Sequence, residues 1–229
     1  MRVVKNKFSL LTETLRKPAI ASMLKSIAQH PFLQELAAGA LSFDNFTTYI
    51  TQDLIYLDVY HACFERLIDI CPYDDHIPIL ETLKAEIGHE RHFLWHWLSD
   101  QQPTLPQTHI NIATQNYTRY LCDHINMTYA HGITALFPCA WVYGKIAHIL
   151  INSAQKDSPY LFWIHRYTDP AFDSAIDSHH YLAESALADS RNKSLFSHEL
   201  TMLLTRGIEL EKDFWAACYR TDRPQALSA

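Results

Sequence analysis

The stretch Phe46-Thr47-Thr48-Tyr49-Ile50-Thr51-Gln52-Asp53-Leu54-Ile55-Tyr56-Leu57-Asp58-Val59-Tyr60-His61-Ala62-Cys63-Phe64 decides the fold class. Tyr49, Asp53, Tyr56 and Tyr60 fall at i, i+4, i+7 and i+11, flanked by Phe46, Ile50, Leu57 and Phe64. That spacing lies along one face of an α-helix. Ser42 is a good N-cap ahead of it, and Pro72 with Asp74-Asp75 breaks the pattern behind it. Together they predict a long helix over residues 42–70.

Helical periodicity continues on both sides. Residues 9–28 read as a broken helix that Pro18 restarts, His30-Pro31-Phe32 as a turn, and 33–38 as a short helix closed by Gly39. Downstream, helices are expected over 77–98, ended by Gln101-Gln102-Pro103, then over 113–129 and 133–153. A short element over 159–167, a helix opened by Asp169-Pro170 and running to 188, and a last helix over 194–219 complete the chain. About seven substantial helices with short connections predict an all-α helix bundle, read as a single domain over residues 1–229. The composition agrees. With 229 residues, 48% of them hydrophobic, the chain can bury one sizeable core. Five Gly, and Val only at 3, 4, 59 and 142, argue against a sheet protein, which needs β-branched strands and Gly-rich turns.

Charge and cysteine usage narrow the function class. The net charge of -6 comes with no basic patch, so no nucleic-acid partner is expected. The five Cys are odd in number and lack a CxxC pair, which suggests a reducing compartment. The N-terminal MRVVKNKFSLL lacks the pattern of a signal peptide. The longest apolar stretch, 132–144, falls short of the about 20 residues a membrane span needs. A soluble cytoplasmic protein with no membrane partner is the expectation. A surplus of polar-edged rings, 12 Tyr, 14 His and 5 Trp, asks for buried hydrogen-bond partners or a task.

Three places carry candidate chemistry. Asp53 sits among tyrosines on an inward face, where a carboxylate should not stay unpaired. It is either tied to tyrosine hydroxyls for structure or binds the amino edge of a planar ligand. Cys139 follows Pro138, which stands inside a helix, removes a backbone donor and would open space beside the thiol; Tyr143 lies one turn on. Local pattern leaves Cys139 open between a small core residue and a nucleophile. On the last helix, Glu209 and Glu211 precede Phe214-Trp215, and a desolvated glutamate there suits proton transfer. Two further clusters test for metal. Glu86, His89, Glu90, His92 and His96 contain one Glu-x-x-His spacing of the di-iron type, and Asp173, Asp177 and His180 form the second cluster. A second full motif is missing, so a solvated polar face is the preferred reading and no metal is expected. No phosphate loop or nucleophile elbow occurs.

Set together, several segments resemble the TenA family of thiaminase II and aminopyrimidine aminohydrolases. They are His30-Pro31-Phe32-Leu33-Gln34-Glu35-Leu36 with Gly39-Ala40-Leu41; Gln52-Asp53-Leu54-Ile55-Tyr56-Leu57; Asn116-Tyr117-Thr118; Pro138-Cys139-Ala140-Trp141-Val142-Tyr143; Trp163-Ile164-His165-Arg166-Tyr167 with Phe172; and Glu211-Lys212-Asp213-Phe214-Trp215. The similarity runs from about His30 to Tyr219. It implies a haem-oxygenase-like bundle, assembled as a homotetramer. It also implies a cofactor-free thiamine-salvage hydrolase that converts 4-amino-5-aminomethyl-2-methylpyrimidine to the hydroxymethyl pyrimidine and ammonia, with thiamine cleaved more slowly in many members. By the same resemblance Cys139 matches the nucleophile, Glu211 the acid/base and Asp53 the carboxylate that binds the pyrimidine amino edge. Tyr56 and Tyr117 match pocket rings that pack on or bond to the pyrimidine, and Tyr143 and Tyr167 match tyrosines near the Cys and Glu. Cys139 places the chain with the Cys-bearing branch. The departure is the ionisable run Glu86-Ile87-Gly88-His89-Glu90-Arg91-His92. Two other readings stand beside this one: a non-catalytic pyrimidine- or thiamine-binding protein on the same scaffold, and a metal-dependent, di-iron oxidase of the same broad fold.

Overall fold

The computed structural model describes residues 10–101, 109–189 and 196–220. Ten helices and no strand occur among the described residues. They are α1 (Leu10–Leu15), α2 (Pro18–Ala28), α3 (Pro31–Ala38), α4 (Phe43–Ile70), α5 (Ile77–Gln101), α6 (Ile112–Ile125), α7 (Tyr129–Leu150), α8 (Leu161–Tyr167), α9 (Pro170–Ala188) and α10 (Phe196–Ala217). α5 continues to Gln101, past its expected end at 98; Gln102-Pro103 and the expected start of α10 at Ser194 lie outside the described residues.

Side chains at the helix starts explain the boundaries. Ser42 Oγ accepts from the Asn45 amide at 3.2 Å, as its position predicts. Asn111 and Asp169 cap α6 and α9 in the same way, each at 2.8 Å. His30 also caps: its Nδ1 accepts from the Phe32 amide at 3.2 Å, so the expected turn is the start of α3. Gly39 ends that helix at φ +70°, a left-handed position that favours glycine. The α6–α7 boundary differs most from expectation. α6 stops at Ile125, and Thr128 caps α7, which therefore starts at Tyr129.

α7 is the axis of the bundle and packs against α2, α3, α4, α6, α8, α9 and α10. By length and composition α7 could cross a membrane, against the shorter apolar run expected from sequence. Most of it is buried inside the bundle, as a core helix is. Pro138 stands within α7 and withholds the amide that would bond the Thr134 carbonyl. Neighbouring side chains bond α7 carbonyls on either side of it: Tyr60 donates to Leu136 and His179 Nε2 to Ile133, both at 3.0 Å.

Gly207 fixes the approach of α10 to this point. A Cβ at Gly207 would lie 2.6 Å from Pro138 Cγ and 2.9 Å from its Cβ, closer than packed atoms allow. The absence of that Cβ lets α10 lie directly on the proline. Glu211 is one helical turn beyond Gly207 and Cys139 is the residue after Pro138. The close crossing therefore brings the two side chains together.

Candidate active site

A cavity of about 400 Å³ opens between α4, α5, α7, α8 and α9. Its inner wall carries Asp53, Cys139 and Tyr143, and its outer wall carries Glu90, Arg166 and Tyr167. The volume lies within the range of small-molecule sites.

Behind the inner wall, Glu211 is 1% exposed and accepts a hydrogen bond from the Tyr117 hydroxyl at 2.5 Å. Burial pushes its carboxyl up to about 8; the Asp53 charge adds to this, while hydrogen bonds from Tyr117 and Cys139 oppose it. At neutral pH the carboxyl is mainly protonated. Glu209 points the other way: it is exposed and pairs with Arg206 at 3.1 Å. Two residues on a helix lie about 200° apart, so only one of the two glutamates can face the core.

Cys139 is partly buried on the cavity wall. Burial, and then the Glu211 charge, hold its thiol well above the usual cysteine range, with the Tyr56 hydroxyl pulling the other way. The resting group is a thiol. Cys63 and Cys218 are buried core residues, both pushed up to about 12 chiefly by burial. Asp53 is 4% exposed, and burial followed by the Glu90 charge raises its carboxyl well above the normal range against the Tyr49 hydrogen bond. The Tyr49 hydroxyl lies 3.4 Å from Asp53 and 3.3 Å from the Tyr143 hydroxyl, and accepts from Trp163 Nε1 at 2.9 Å.

Tyr56 and Tyr117 stand behind Cys139 rather than on the cavity lining, with ring centroids 4.7 Å apart. The Tyr56 hydroxyl and Trp215 Nε1 are buried without a partner of ordinary hydrogen-bond geometry.

The outer wall differs from expectation. His92 and His96 are exposed, as a solvated face requires, but Glu86 and His89, though exposed, line the cavity, and Glu90 is 8% exposed and takes part in the site. Tyr167 donates a hydrogen bond to Glu90 Oε1. Arg166 Nε and Nη2 each lie 2.8 Å from Oε2. Tyr167, which the resemblance sets near the Cys and Glu, thus has Glu90 as its carboxylate partner rather than Glu211. Its ring also packs 4.9 Å from Tyr143. Sequence held a signal for Glu90: Leu83, Ile87, Glu90, Leu94 and Leu98 form one stripe at spacings of four, three, four and four. Tyr49, Trp163, Arg166 and His179 were likewise not singled out as site residues. His179 lines the cavity, and burial lowers its pKa to about 4. With Nε2 donating to a carbonyl, it is a neutral ring.

No group of three or more His, Cys, Asp or Glu placed to hold a metal occurs among the described residues. In the second suspected cluster, Asp173 pairs with His148 at 3.0 Å, and His180 meets Thr12 and Glu184.

Residues 17–64 and 78–221 match the model of the TENA/THI-4/PQQC family. The chain belongs to that family. Among its relatives, the aminopyrimidine aminohydrolase of Helicobacter pylori is 26% identical over 202 residues, covering 84% of this chain and 91% of that protein. The thiamine biosynthesis multifunctional protein ThiED of Corynebacterium glutamicum is 29% identical over 161 residues, which is 67% of this chain and 20% of that longer protein. A solved TenA homologue from P. horikoshii OT3 superposes with a TM-score of 0.81 at 21% identity, covering 93% of this chain and 99% of that one. The TenA architecture is therefore the fold of this chain.

Proposed function

We propose that the protein is an aminopyrimidine aminohydrolase of thiamine salvage, converting 4-amino-5-aminomethyl-2-methylpyrimidine to the hydroxymethyl pyrimidine and ammonia. One observation carries the proposal: the buried Glu211–Tyr117 pair lies beside the Cys139 thiol at an aromatic-walled cavity that also holds Asp53. Family membership and the H. pylori relative support the same reading.

The resting protonation states suit the reaction. Glu211 gives its proton to a ring nitrogen while taking the Cys139 proton, and the sulfur bonds to a ring carbon. The ring loses its aromaticity and holds no net negative charge. The exocyclic C–N bond then breaks with the ring electrons behind it; the substituent, carried as an ammonium, leaves as ammonia, and the water that adds next gives up one proton to it. Water adds to the exposed exocyclic carbon. Loss of the thiol restores the aromatic ring, and the protons return to Cys139 and Glu211. Asp53 holds the amino edge of the pyrimidine, and Tyr143 covers a ring face. The proposal routes no step through a cofactor. A cytoplasmic setting and a homotetramer belong to the same proposal.

Ammonia release from purified protein, offered a panel of aminopyrimidines and thiamine, tests it. Ammonia and hydroxymethyl pyrimidine in equal amounts are expected from the aminomethyl compound, with slower release of the pyrimidine from thiamine. Binding without turnover would support a non-catalytic binder instead.

A further inference from the structure

Tyr167 has one phenolic O–H, and it donates to Glu90. The Tyr167 oxygen is then left with acceptor capacity only. It stands on the cavity wall with Glu90, Cys139 and Tyr143. Arg166 does not cancel this. Its Nε and Nη2 are turned onto the other oxygen of Glu90, and its guanidinium lies 5.3 Å over the Phe93 ring. The Tyr167 oxygen and Glu90 thus form an acceptor pair on the cavity wall, beside the paired Arg166 guanidinium. The rings of Tyr143 and Phe172, 4.9 and 5.0 Å from Tyr167, add π faces beside it.

We propose that Glu90 is a specificity-determining residue: by accepting the Tyr167 hydroxyl's hydrogen bond it makes this wall a receptor for a positively charged, N–H-bearing substituent at the 5-position of the pyrimidine. Substrates with an ammonium group there are bound in preference to neutral analogues. This rests on the aminopyrimidine reading and extends it. An ammonium donates to the Tyr167 oxygen and is attracted by the carboxylate and the rings. A hydroxyl in the same place lacks the charge, so hydrolysis itself converts the ligand into a weaker binder and favours product release. The Glu90 charge also reaches the inner wall, where it raises the pKa of both Asp53 and Cys139.

The test compares two ligands of nearly equal shape, the aminomethyl and hydroxymethyl pyrimidines. Calorimetric titration in the Cys139→Ala background at neutral pH prevents turnover. The aminomethyl ligand is expected to bind about tenfold tighter or more, the scale of one charged hydrogen bond. Glu90→Gln should bring the ratio close to one while hydroxymethyl affinity stays within about threefold. Tyr167→Phe, which leaves the Glu90–Arg166 pair in place, should narrow the ratio as well. It carries the test if Glu90→Gln does not fold. Equal weakening of both ligands, or an unchanged ratio, would overturn the inference. Binding of both ligands without charge preference overturns this inference alone. Binding of neither overturns the aminopyrimidine reading itself.

Discussion

Glu211 and Glu90 are both buried, both accept a hydrogen bond from a tyrosine hydroxyl and both serve the same cavity, yet their surroundings differ in one respect. Glu90 carries a guanidinium on its second oxygen. Glu211 has burial, a neighbouring carboxyl and a thiol instead, and is pushed up to about 8. A carboxyl that is dry and without a cation keeps its proton and can deliver it; one that is held by Arg166 serves as a fixed partner in an ion pair. The same residue type is thus suited to proton transfer on one wall and to recognition on the other.

The largest expected effect sets these walls apart. Glu211→Gln should lower kcat by about 10²- to 10⁴-fold, the scale of a lost general acid–base, with the helical circular dichroism unchanged. Glu90→Gln should lower kcat far less. Equal losses in kcat would erase the distinction.

Stability against pH gives the second contrast. The carboxyl of Glu211 has a raised pKa in the folded chain, so its favourable contribution is complete below the unfolded value near 4.5 and is lost as pH rises through about 8. Chemical denaturation of Glu211→Gln should therefore show a stability gain over wild type that grows from pH 5 to 8 and levels above it. At most it reaches about 5 kcal/mol. A gain that shrinks over this range would contradict the assigned protonation. The same titration predicts that wild-type kcat/KM falls above about pH 8.

Next in size is Gly207→Ala, whose added Cβ meets the rigid Pro138 ring. It should cost about 1–2 kcal/mol despite a helix-propensity gain of about 1 kcal/mol, and reduce turnover by shifting Glu211 from Cys139. Thermal unfolding checks the first part. Smallest of all, His92→Ala and His96→Ala should change stability by less than about 0.5 kcal/mol, since both rings face solvent.

Helical spacing made most of the fold legible, and Ser42 and Asp169-Pro170 marked two helix starts correctly. The α6–α7 turn was harder to read. Asn126 and Met127 contain no Gly or Pro, and only the Thr128 hydroxyl signals the new helix. At the site, the pattern around Asp53 and Cys139 singled out residues that the fold brings to one wall. Glu209 and Glu211 could not be separated by composition, because only the rotation of α10 about its axis decides which is buried. Glu90 was hidden among exposed ionisable neighbours, although its register follows the apolar stripe of α5. Its partners Arg166 and Tyr167 come from 76 and 77 positions away, a juxtaposition that no local pattern encodes.

The most direct test of the central claim is Cys139→Ala with the aminomethyl pyrimidine. The variant is expected to fold, to bind the ligand with near wild-type affinity and to release no ammonia. Ammonia release at the wild-type rate would contradict the assignment of Cys139 as the nucleophile.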